Sequence, residues 1–154
     1  MNEQILKYLL FKFYFDGEAV TNLKLQKVLY FVNVACLLNG KKDCFNEPFQ
    51  AWAFGPVLPA IYHRLSKYGP SAIPAEEMGI YSEDELEALK KELGEDMVGI
   101  IDNVYEQYGT KSAFDLVQMT HADKAWIKAR GDLGPGDKSD AVIAAEDILQ
   151  AYSG

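Results

Sequence analysis

Residues 22–38, NLKLQKVLYFVNVACLL, carry the reading on which the fold turns. Leu25, Val28, Leu29, Val32 and Cys36 recur at i, i+3, i+4, i+7 and i+11, the spacing of one helical face. Thr21 or Asn22 supplies an N-cap, and Gly40 supplies a stop. The second half, YFVNVACLL, is apolar on nearly every side, so this helix is expected to be enclosed by other elements rather than to lie on a surface. The resulting expectation is a mainly α fold, one compact helical domain over residues 1–154 built round its second helix.

Working outward, Asn2 reads as the N-cap of a first helix whose stripe runs through Leu6, Leu10 and Phe13, with Ile5 and Leu9 alongside, and ends before Gly17. After the second helix, PFQAWAF is aromatic and too short for a helix. It reads as a short strand or extended arm before a turn at Gly55-Pro56. Pro59 suits a first helical turn, and Leu58, Ile61, Tyr62 and Leu65 form the stripe of a third helix closed by Gly69-Pro70. Residues 70–81 read as loop. Ser82 with Glu85 matches a capping box, and the stripe Leu86, Leu89, Leu93, Met97, Ile100, Val104, Tyr108 keeps phase across Gly94. That continuity predicts one long helix bent at Gly94. Thr110 reads as the cap of a short helix through Met119, and Thr120 with Asp123 as a capping box for a helix ending near Gly131. A polar loop, GDLGPGDKSD, then leads to a short extended turn and a last helix that packs Ile148 and Leu149.

Composition narrows the function. With 49% hydrophobic and 25% charged residues among 154, the chain is an ordinary globular protein. Its net charge of -8 repels a phosphate backbone, so no nucleic-acid partner is expected. The run ILKYLLFKFYF is interrupted by Lys7 and Lys12 and is too short for a membrane span. No leader pattern is present, and Cys36 and Cys44 read as reduced thiols, which together point to the cytoplasm.

No catalytic, cofactor or metal residues are assigned. His63 and His121 are far apart in sequence and no Cys-x-x-Cys motif exists, so metal-ligand spacing is missing. GDLGPGDK lacks the spacing of a phosphate cradle, and Pro135 removes an amide donor. His121 in THADKAW reads as a brace at a helix junction, with Thr120 as cap. The rival reading makes it the acid–base group of a small hydrolase or transferase, and no second polar partner at readable spacing supports that. A second rival makes Lys24 and Lys27, in the helix starting near Leu23, the contacts of a DNA-binding regulator. Two lysines in an acidic chain support it poorly.

Taken in order, LKLQKVLYFVNVA at 23–35, AWAFGPVLPAIYHRLSKYG at 51–69, and Thr120-His121 ahead of Trp126 resemble the Panacea domain, the SocA-like antitoxin family. The matching positions are Leu25, Lys27, Tyr30, Trp52, Gly55, Pro56, Pro59, Tyr62, Thr120, His121 and Trp126. The chain departs from the family pattern at Ala125, where members often carry proline, and at Ala144 and Ala145, where a serine-like cap is usual. The resemblance implies a non-enzymatic antitoxin of bacteria and their phages. Such a protein neutralises a cognate toxin, encoded by the adjacent gene, by binding it, and some relatives instead deliver the toxin to a protease. On the residues themselves, Gly55, Pro56 and Pro59 should stiffen WAFGPVLP into an aromatic corner. Trp52 reads more as core than as partner contact, whereas Lys24, Phe54, His63, Arg64 and Lys67 are the candidate toxin contacts.

Overall fold

The computed structural model describes residues 1–153; Gly154, the last residue of the expected domain, lies outside the described residues. Asn2–Phe15 forms α1 and Asn22–Leu38 forms α2. Gln50–Trp52 (β1) and Gly55–Val57 (β2) make a hairpin, followed by Pro59–Leu65 (α3). Short 3-10 turns follow at Ser66–Tyr68 and at Ala75–Met78, the second within the stretch expected to be loop, and then come Glu83–Leu93 (α4), Glu95–Tyr108 (α5), Ala113–His121 (α6), Lys124–Arg130 (α7) and Ala145–Tyr152 (α8). The fold is mainly α. None of the helices among the described residues is long and apolar enough to cross a membrane.

The second helix is enclosed as its composition predicts. It touches α3, α5, α6, α8 and β2. Leu25, Val28, Leu29 and Val32 have no exposed surface, each contributing roughly 1.5–3 kcal/mol relative to an exposed side chain. The Thr21 hydroxyl accepts from the Lys24 amide at 3.3 Å and caps it. Phe31 stacks on Tyr108 of α5 with ring centroids 4.0 Å apart, tying α2 to the C-terminal end of that helix.

Several local expectations are corrected. Met1, not Asn2, is the N-cap of α1, because the Asn2 side chain instead accepts from the Asn46 amide across the loop. The helix expected over 82–108 is two helices. Gly94, at φ 86° and ψ 157°, closes α4 and opens α5 in a conformation only glycine adopts readily. A straight helix over that stretch would be about 40 Å long, beyond the ~30 Å width of a small domain, so the break keeps both halves on the core. Ser112 caps α6 in place of Thr110. Thr120 and His121 end that helix rather than starting the next, and Asp123 alone caps α7, its Oδ1 accepting from the Trp126 amide at 2.9 Å. Thr120 does not cap because its hydroxyl is bonded back to the Val117 carbonyl within α6.

The extended arm proves to be the first strand of an antiparallel hairpin in register Gln50↔Val57, Ala51↔Pro56, Trp52↔Gly55. Gly55-Pro56 therefore lies within a strand, and the turn falls on Ala53-Phe54. Proline is tolerated there because Ala51, its opposite number, directs its amide away from β2 to the Ala141 carbonyl. The tail continues alongside β1, the Ile143 amide donating to the Phe49 carbonyl, before α8 seats Ile148 in the core with Leu149 half-buried. Ala144 is the N-cap of α8 and gives it no side-chain cap, and α7 forms with Ala125 buried in its first turn.

Candidate functional site: the clamped hairpin corner

Gly55 has a φ of 113°, and a Cβ built on it would lie 2.6 Å from both Lys27 Cε and Thr120 Oγ1. The glycine is needed because a lysine side chain crosses the strand there. Lys27, fully buried in α2, reaches past Gly55 and donates from Nζ to the Pro56 carbonyl at 3.0 Å. No carboxylate pairs with it among the described residues, and burial pushes its ammonium down to about 7. Since Pro56 lacks an amide hydrogen and its carbonyl is taken, the outer edge of β2 offers nothing to a further strand there.

Three more side chains hold the other strand and the turn by their carbonyls. Arg130 Nη1 donates to Ala51 O at 3.0 Å, and Trp126 Nε1 donates to Trp52 O at 2.9 Å. His121 Nε2 lies 2.9 Å from Ala53 O, which requires the hydrogen on Nε2. The His121 ring stacks on Trp126 at 4.8 Å, and the Arg130 guanidinium lies over Trp126 from the α7 side. These donors come from α2, α6 and α7, so three helices fix one hairpin.

The supporting layer is equally saturated. Gln26 Oε1 accepts from the Leu58 amide at 2.9 Å, its amide donates to Asn22, and Asn22 donates to the Tyr62 carbonyl. Tyr30 and Tyr152 both donate to Asp123, the α7 cap; burial, then the facing carboxylate, push both phenols up, so they remain donors at neutral pH. Arg130 also donates from Nη2 to Gly134 and Asp137 carbonyls, pinning the glycine-rich loop beside the corner.

Facing outward is an apolar groove of about 1050 Å³ whose walls include Leu23, Trp52, Phe54, Val57 and Tyr62. Phe54, at the hairpin tip, is 70% exposed. Trp52 is half-buried, packed edge-on to Tyr62 at 4.8 Å. His63 and Lys67 are exposed on α3 and the 3-10 turn after it, whereas Arg64 is half-buried and engaged with Glu3 and Glu77, binding α3 to α1.

Lys24 differs from expectation. Its ammonium donates to the Gly109 carbonyl at 2.7 Å and lies over the Phe13 ring, so it is held inside the protein. Gly109 terminates α5, where unpaired carbonyls attract a cation. With Lys24 and Lys27 both buried, neither is presented to a nucleic acid, and the DNA-binding rival loses the residues it rested on.

The profile of the family described as Antitoxin SocA-like, Panacea domain, matches residues 25–127. The chain belongs to this family. Antitoxin SocA of Caulobacter vibrioides (strain NA1000 / CB15N) is 34% identical over 115 residues, 67% of this chain and 55% of that protein. The chain thus spans about half the length of the curated relative it matches. No solved structure matches it. In this member of the family several of the positions that carry the resemblance meet at the hairpin. Lys27, His121 and Trp126 are donors to the hairpin, Gly55 leaves the space that Lys27 and Thr120 fill, and Tyr30 steadies the α7 cap. Arg130 and Gln26 complete the clamp and were not found from sequence, whereas Asp123 was read there only as part of a capping box. The one signal for Gln26 was a polar residue four positions after Asn22 inside an apolar run.

Proposed function

We propose that the chain is an antitoxin that neutralises a cognate toxin protein, encoded by the adjacent gene, by holding it at the hairpin corner. The observation that carries this reading is the clamp. Four backbone carbonyls between Ala51 and Pro56 receive buried or half-buried side-chain donors, and the segment so fixed presents Phe54 over an apolar groove. A surface fixed before binding loses less conformational entropy on docking, and exposed aromatics in such a place act as anchors. Phe54, Trp52 and Tyr62 are the anchors, with His63 and Lys67 on the rim. Arg64 positions α3 from below. The hydrogen bond from His121 to a backbone carbonyl supports bracing over acid–base chemistry, and so favours a non-enzymatic role.

The test is co-expression with the product of the neighbouring gene. That product should be lethal alone and harmless with this chain, and the two should co-purify. Phe54→Ala should abolish protection while the variant melts as the parent does. Toxicity that persists beside the intact chain sinks the reading, and protection accompanied by toxin loss only in protease-proficient cells replaces holding with delivery to a protease.

A further inference from the structure

Away from the hairpin corner, three sulfurs from three elements meet. Cys36 Sγ, in α2, lies 3.8 Å from the Met97 Sδ of α5, and Cys44 Sγ, in the loop between α2 and β1, lies 3.5 Å from the same atom. Both thiols thus face one thioether. All three residues are buried.

We propose that Cys36, Cys44 and Met97 form a binding site for a soft monovalent metal ion, Cu(I) or its analogue Ag(I). Thiolate and thioether donors select soft ions, whereas Mg(II) and Ca(II) require oxygens. Metal–thiolate bonds of roughly 2.3 Å in a trigonal arrangement set the sulfurs about 4 Å apart. The two separations from Met97, 3.8 and 3.5 Å, need to widen by only tenths of an ångström to reach it. Zn(II) prefers four nitrogen or sulfur donors, and no cluster of three or more His, Cys, Asp or Glu is present among the described residues to complete such a set. Binding replaces two S–H bonds with two metal–sulfur bonds and releases two protons to solvent. Met97 adds a lone pair, and no atom changes oxidation state. The resulting site carries one net negative charge. The charge of Lys41, which is paired with Asp96 at 3.6 Å, favours the Cys36 thiolate. Burial works in the other direction and pushes the Cys36 thiol up, so the metal must displace protons that the apolar surroundings retain. Cys44 itself is buried but follows exposed Lys42 and Asp43 in the loop between α2 and β1.

The site is independent of toxin binding and is tested on the isolated, reduced chain. Cu(I) is titrated without oxygen against the chromophoric competitor bicinchoninate. The chain should withdraw one ion, with an affinity rising about 100-fold per pH unit below neutrality because two protons leave. Cys44→Ser should lower that affinity by roughly 100-fold, and Met97→Leu, which conserves volume and keeps both thiols, by about 10-fold. X-ray absorption on the wild-type complex needs no variant to fold and should show three sulfur neighbours near 2.3 Å. Failure of the wild type to withdraw copper, undiminished uptake by the Cys36→Ser/Cys44→Ser chain, unchanged affinity in Met97→Leu, or nitrogen or oxygen neighbours would each overturn the assignment.

Discussion

The hairpin corner and the α4–α5 elbow both turn on a glycine with positive φ, yet they are held in different ways. At the elbow nothing approaches Gly94 within 4 Å of where a Cβ would stand, and the two helices are fixed by an apolar stripe that includes Leu89, Leu93, Met97 and Ile100. At the corner Gly55 is enclosed by a lysine and a threonine from two other helices, and the strands are held by hydrogen bonds from long polar side chains. The elbow needs glycine for its own backbone; the corner needs it also for its neighbours. Apolar contacts are non-directional and absorb small shifts, whereas each carbonyl of the corner accepts a donor at one place and angle.

Substitutions at the two glycines should separate these cases. Gly55→Ala adds a methyl that meets atoms at 2.6 Å on a strained backbone, and should destabilise by about 3 kcal/mol or more in urea unfolding. Gly94→Ala has room and should lose only the conformational part, roughly 1–3 kcal/mol. Equal losses at both sites would remove the distinction.

Lys27 sharpens it further through pH. Its folded-state pKa of about 7 lies below its ordinary value of 10.5, so between those limits the unfolded chain binds a proton that the folded chain does not. Stability should therefore rise as pH increases from 7 towards 9.5, by up to about 1.4 kcal/mol per unit from this group. Below pH 7 both states carry the proton and the contribution is flat. Lys27→Met should remove this rise, read as the difference between the two proteins' urea midpoints. Above pH 10 the buried tyrosines oppose it, because burial holds Tyr30 and Tyr152 protonated when the unfolded chain would ionise them.

Smaller effects follow at the surface of the clamp. Trp126→Phe keeps the stacked ring but leaves the Trp52 carbonyl without its donor, a loss of about 1–2 kcal/mol in thermal or urea unfolding. Phe54→Ala, at an exposed tip, should change stability by under about 0.5 kcal/mol while removing the proposed toxin binding. A large stability loss there would place Phe54 with the clamp instead of the docking surface.

Much of the corner was readable in pieces. Gly55, Pro56, Thr120, His121 and Trp126 stand out in the sequence, but the purpose of each depends on the others. His121 read as the start of a helix because Thr120 and Asp123 have capping-box spacing, and only the bond from Thr120 back to Val117 shows that α6 had not yet ended. Lys24 read as a surface cation because lysines early in helices usually are; its partner is the end of a helix 85 positions away. Arg130 carries no local signal, since a basic residue in a last helical turn is common.

The sequence by itself determined that this is a mainly helical protein with an enclosed second helix, because apolar period and end-capping act over one or two turns and are written in adjacent residues. Only the tertiary structure decided which polar side chains turn inward and which carbonyls they meet. The four donors to the hairpin act across separations of 29, 68, 74 and 79 positions, and a directed hydrogen bond over such distances exists only once the helices have packed.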